Sequence, residues 1–143
     1  MTSPAAAPRP AAIYEFRLPA LALLSTGAAH FQLGISATGP QYLYAAAGKI
    51  ATEYGISISR LPEMSTANGA QFPNCYQLDR MIRIAIDTPG AKEARERRDI
   101  AQRATEAAFD GDTRAWIRTM DTYHAARKAL EALIASALTA AGY

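Results

Sequence analysis

The chain has 143 residues, a formal net charge of +2, one cysteine and no valine. One cysteine excludes an intrachain disulfide framework and a multi-cysteine zinc or iron–sulfur site. With 20% charged and 50% hydrophobic residues, wholesale disorder is excluded too, and the charge is too small to announce a nucleic-acid binder.

Residues 1–12 are rich in Pro and Ala and predict a disordered tail; residues 13–143 predict a single helical domain. Ile13-Tyr14-Glu15-Phe16-Arg17 alternates as a short strand does. Pro19 suits the first turn of a helix carrying Leu21, Leu24, Ala28 and Phe31, with Gly34 as its C-terminal cap. The apolar stretch from Leu18 to Ala29 is far short of the roughly 20 residues that span a bilayer. Without a clear leader pattern, and with Cys75 alone, a cytoplasmic location and no membrane partner are expected.

Thr38-Gly39-Pro40 opens a second helix with Leu43, Ala46, Ala47, Ile50 and Tyr54 on its inner stripe, ended by Gly55. Ile56-Ser57-Ile58 then predicts a second short strand, which would make a two-stranded β element with residues 13–17. Pro62 to Asn74 reads as a loop. Residues 76–86 fit both periods: Ile82, Ile84 and Ile86 alternate, while Leu78, Met81, Ile82 and Ala85 follow a helix. Helix is favoured, because alanine is abundant and valine absent.

Asp87-Thr88-Pro89-Gly90 is a break. Ala91 to Phe109 is a strong helix former, with Ala94, Ile100, Ala101, Ala104 and Ala108 as a thin apolar stripe. Glu93/Arg97 and Asp99/Arg103 stand at ion-pairing spacing. Asp110-Gly111-Asp112 is a turn, with Asp112 as N-cap of a last helix running to about Ala141. Along it Trp116, Met120, Tyr123, Leu130, Ile134 and Ala137 form a coiled-coil-like seam interrupted by Arg127. The fold class is therefore mainly α, with four to five helices and a long C-terminal antiparallel helical hairpin.

Candidate chemistry is sparse. His30 and His124 sit on different helices with no acidic neighbour at ligand spacing, so no metal site is expected. Cys75 with a distant histidine would be the minimal thiol nucleophile, and a place near a helix start would lower its pKa; no activating motif surrounds it. Gly48-Lys49 lacks the rest of a phosphate loop. No catalytic residue and no cofactor is expected.

Residues 50–61 resemble a helix-turn-helix: Ala51 is the small residue of the first helix, Gly55 the turn and Leu61 the aliphatic residue of the second. The resemblance implies a small DNA-binding transcriptional regulator, with Ser57, Ser59 and Arg60 reading bases. Pro62 would interrupt its recognition helix, and Lys49 and Arg60 are its only basic support.

The leading expectation is a non-enzymatic protein-interaction module. Arg95, Arg97, Arg98 and Arg103, interleaved with acids, suit a partner of complementary charge; Trp116 and Tyr123 would be its aromatic anchors. The small size and the Ala- and Arg-rich composition without valine resemble in general habit the accessory proteins of plasmids and prophages, anti-CRISPR inhibitors among them. That resemblance implies an inhibitor that binds a host protein or nucleoprotein complex by steric block, subunit displacement or mimicry. Homodimerisation through the last helix is compatible with each reading.

Overall fold

The computed structural model describes residues 15–26, 40–62 and 75–143. Among them are five α-helices: α1 (Pro19–Thr26), α2 (Pro40–Glu53), α3 (Cys75–Asp87), α4 (Ala91–Ala108) and α5 (Thr113–Ala140). A 3-10 turn, Ile58–Arg60, lies between α2 and α3. No strand occurs among the described residues, so the expected β element is not seen. Residues 15–18 carry no strand pairing, and Ile58 opens the 3-10 turn. Ile13, the tail, His30, the Gly34 cap and residues 63–74 of the expected loop lie outside the described residues. No described helix is long and apolar enough to cross a membrane.

The chain divides into two compact units, whose boundaries fall inside α2 and α3. The first comprises Met1–Ile50 and Leu61–Arg80. In it Leu21 and Leu24 of α1, Ala46, Ala47 and Ile50 of α2, and Cys75 and Leu78 of α3 are buried. Phe16 stacks on Tyr76 with ring centroids 5.2 Å apart. The Arg17 backbone N–H donates to the fully buried Asp79 carboxylate at 2.6 Å. A charge-assisted bond of this kind is what allows a carboxylate to sit inside.

The second unit comprises Ala51–Arg60 and Met81–Tyr143. Met81, Ile82 and Ala85 are buried along α3, while Ile84 and Ile86 are half-buried. The helical period therefore governs 76–86, and the alternation of isoleucines places two of them toward the helix flank. α4 and α5 pack extensively against each other. The four residues 109–112 between them make the pair an antiparallel hairpin: Leu133 lies 3.8 Å from where a Cβ on Gly90 would stand, and Phe109 meets Trp116 edge-on at 6.4 Å. Asp112 caps α5 by accepting from the Arg114 N–H at 3.2 Å.

Two helix ends carry the same device. At the end of α2, the Ile56 N–H donates to the Ala51 carbonyl at 2.9 Å and the Gly55 N–H to Thr52 at 3.1 Å. At the end of α5, Tyr143 donates to Leu138 at 2.8 Å and Gly142 to Thr139 at 3.1 Å. These nested bonds are Schellman caps, and each needs a left-handed residue: Gly55 has φ 82° and Gly142 φ 92°. At Gly55 the absent side chain also admits a neighbour, since a Cβ there would stand 2.6 Å from Leu130 Cγ. The tight cap turns the chain straight into the 3-10 turn instead of an extended strand.

Candidate protein-docking face

The inner stripe of α4 differs from the expected one. Ala91, Ala94, Arg98, Ala101 and Thr105 are the buried residues, while Ala104 is exposed and Ile100 is 59% exposed. Arg98 is only 8% exposed. Its guanidinium donates through Nη1 to the Thr52 carbonyl at 3.0 Å and holds Asp99 at 2.9 Å through Nη2. Asp99 thus pairs with Arg98 beside it and not with Arg103. A cation at the C-terminal end of α2 meets the negative end of that helix. Arg98, expected as a partner-binding residue, is therefore an internal cap that ties α4 to α2.

Arg95 is half-buried, with its guanidinium 5.6 Å from the centre of the Tyr54 ring. Burial chiefly, and then Glu53, raises the Tyr54 pKa above its usual value; Arg95 pulls it back. Arg97 and Arg103 are exposed, on other sides of α4.

On α5 the fully buried residues are Leu130, Ile134 and Leu138, so the seam ends on Leu138 and not on Ala137. Toward the hairpin tip the same stripe continues through Arg127, Tyr123, Met120 and Trp116, all half-buried. Arg95, Gln102 and Phe109 repeat at seven-residue steps along the facing edge of α4. The Phe109–Trp116 contact joins the two edges. Phe109 is 69% exposed and borders a hollow with Gly111, Thr113 and Trp116. Ile117, next to Trp116, is 48% exposed. Tyr123 lies against His124, with ring centroids 5.5 Å apart.

The result is one face, apolar and aromatic toward the tip, that ends inward on arginines. Two donors there are buried without an acceptor: Arg95 Nη1 and Arg127 Nε. A buried N–H without a partner costs about 1–3 kcal/mol. Phe109 was not among the expected anchors. Its signal was an aromatic residue directly before the Asp110-Gly111-Asp112 turn, where an apolar side chain has no core to enter.

The remaining candidates stand elsewhere. Ser57 and Ser59 hydrogen-bond to each other at 2.9 Å. Arg60 donates to the Thr139 hydroxyl at 3.1 Å and reaches the Tyr143 carbonyl at 3.5 Å. Residues 56–62 form no second α-helix, which a recognition helix would require. Cys75 opens α3 but is fully buried, and loss of solvent pushes its thiol up to about 12 against a backbone hydrogen bond that lowers it. The lowering expected at a helix start is overridden by burial. No cluster of metal-ligating side chains occurs among the described residues. The chain matches no protein-family model, no curated protein and no solved structure.

Proposed function

We propose that this chain is a non-enzymatic protein-interaction module that docks a protein, or a protein within a nucleoprotein complex, through the outer half of the α4–α5 hairpin. The observation that carries the reading is the face just described. Phe109 and Trp116 meet edge-on, Met120 and Tyr123 continue the stripe of Trp116, and all four are partly or largely open to solvent. Aromatic residues, methionine and arginine are the types that carry binding energy at protein interfaces. A protonated, enclosed Cys75 fits a role without thiol chemistry.

An inhibitor of the kind mobile elements encode would use such a face to block or displace a subunit of its target. The test is affinity capture from the native host, with and without nuclease, comparing the wild type with a Trp116→Ala/Tyr123→Ala variant whose helicity is checked by circular dichroism. A stoichiometric protein that survives nuclease and is lost with the variant supports the reading. Capture that is indifferent to the variant, or nucleic acid recovered alone, overturns it.

A further inference from the structure

At the tip of the hairpin, Phe109, Gly111, Thr113 and Trp116 line a hollow of about 260 Å³. A site for a whole small molecule takes ~300–1,000 Å³, so this one suits a single side chain. The two aromatic rings stand at 72° to each other, with centroids 6.4 Å apart. Beside an edge-on junction of this kind lies a corner bounded by both ring systems. The faces of such rings are the negative part of their quadrupole, and Trp attracts a cation more strongly than Phe or Tyr.

The segment that forms the tip is acidic. Residues 104–113 hold Glu106, Asp110 and Asp112 and no Lys or Arg. All three acids are exposed. Glu106 stands one turn before Phe109, and Asp110 and Asp112 flank Gly111. Arg114 is close in sequence, but at about 100° per residue it lies about 160° round α5 from Trp116. Arg118 lies equally far round in the other sense, where it lines a different groove with Ala101, Ala104 and Thr122. Asp112 is engaged in part, because it accepts from the Arg114 N–H at 3.2 Å. The C-terminal end of α4 and the N-terminal end of α5 bring opposite partial charges to the tip, so the helix dipoles largely offset.

We infer that this hollow receives an arginine side chain of the docked protein. The planar guanidinium covers the Phe109–Trp116 corner, and its N–H fork donates to a carboxylate of the tip. A lysine would keep the charge contact and lose the planar stacking. An uncharged apolar anchor would use the rings alone and leave the carboxylates unanswered. The inference rests on reading the face as a protein-docking surface, and adds that the partner is basic where it meets the tip.

The test titrates the full chain with N-acetyl-arginine amide at constant ionic strength, read by the emission of Trp116, the only tryptophan of the chain. N-acetyl-citrulline amide has nearly the same shape without the charge, and N-acetyl-lysine amide has the charge without the plane. A saturable change with a midpoint on the order of 10 mM is expected for the arginine amide. The citrulline amide should bind at least about fivefold more weakly, with the lysine amide between. Phe109→Leu, which stays apolar and loses the ring, should weaken arginine binding about threefold to fivefold. Glu106→Gln/Asp110→Asn, which leaves the Asp112 cap in place, should weaken arginine binding and leave citrulline binding unchanged. At about 100 mM the arginine amide should release the protein captured from the host, and the citrulline amide should not. Equal binding of arginine and citrulline overturns the inference, as does the absence of a saturable change. Arginine binding that is insensitive to both variants also overturns it. Arginine-specific binding, with capture indifferent to Trp116→Ala/Tyr123→Ala, would leave a cation site and overturn a docked protein as its source. Capture lost with that variant, but no preference for arginine over citrulline, would overturn the arginine hollow and leave the docking face standing.

Discussion

Gly55 meets two structural demands at once. Its φ of 82° suits the α2 cap, and its missing Cβ gives Leu130 its place. Gly55→Ala combines left-handed strain with overpacking and should cost about 2–4 kcal/mol in urea denaturation. Gly142→Ala meets nothing within 4 Å and carries the φ strain alone, so about 1 kcal/mol is expected. Cys75 gives a second prediction at this scale. Burial pushes its folded thiol up to about 12 from the usual 9.0, so well below pH 9 both states keep the proton and the group leaves stability flat. Between about pH 9 and 12 the unfolded chain loses the proton and the folded chain does not. Stability then falls by up to about 1.4 kcal/mol per pH unit. A Cys75→Ala variant should show a shallower alkaline slope than wild type, whatever its own baseline stability. Gly55 as a helix end was readable from sequence. The fate of the thiol was not, because desolvation depends on neighbours that distant segments bring.

At the scale of elements, the helices follow from periodicity, Pro and Gly positions and the Asp112 cap. Replacing Asp112 by Ala should lower stability by about 1 kcal/mol in denaturant titration, through loss of the bond to the Arg114 N–H. The α4 stripe was harder to read. Its alanines at 94 and 101 were visible, but the positions that complete the period are Ala91, Arg98 and Thr105, the last two of which polarity alone assigns to the surface. Arg98 goes inside because the end of α2 presents the Thr52 carbonyl, and Thr105 because its hydroxyl donates back to the Ala101 carbonyl at 2.9 Å. Ile100 is left outside by the same geometry. Arg98→Ala should cost about 2–3 kcal/mol, whereas Arg97→Ala, one residue away and exposed, should change denaturation by less than about 0.5 kcal/mol. The missing β element has a local cause as well: once the Schellman cap closes at Gly55, the chain bends directly into the 3-10 turn at Ile58.

For the molecule as a whole, the hairpin is both scaffold and working surface. Its inner half is fastened: Leu130 fills the space at Gly55, Arg98 holds Thr52 and Arg60 reaches Thr139. Its outer half has no fully buried residue on α5 before Leu130, yet it holds the aromatic side chains of the face. Trp116 and Tyr123 were legible in the sequence as seam residues. Their exposure was not, since a seam reads the same whether its partner is in the chain or outside it. The lone tryptophan of the chain sits in this face, so its fluorescence reports on the central claim directly. The decisive measurement is the emission maximum and acrylamide quenching of Trp116 in the free chain at about 1 μM. An open docking face predicts red-shifted emission that acrylamide quenches readily. Blue-shifted emission protected from acrylamide would contradict it.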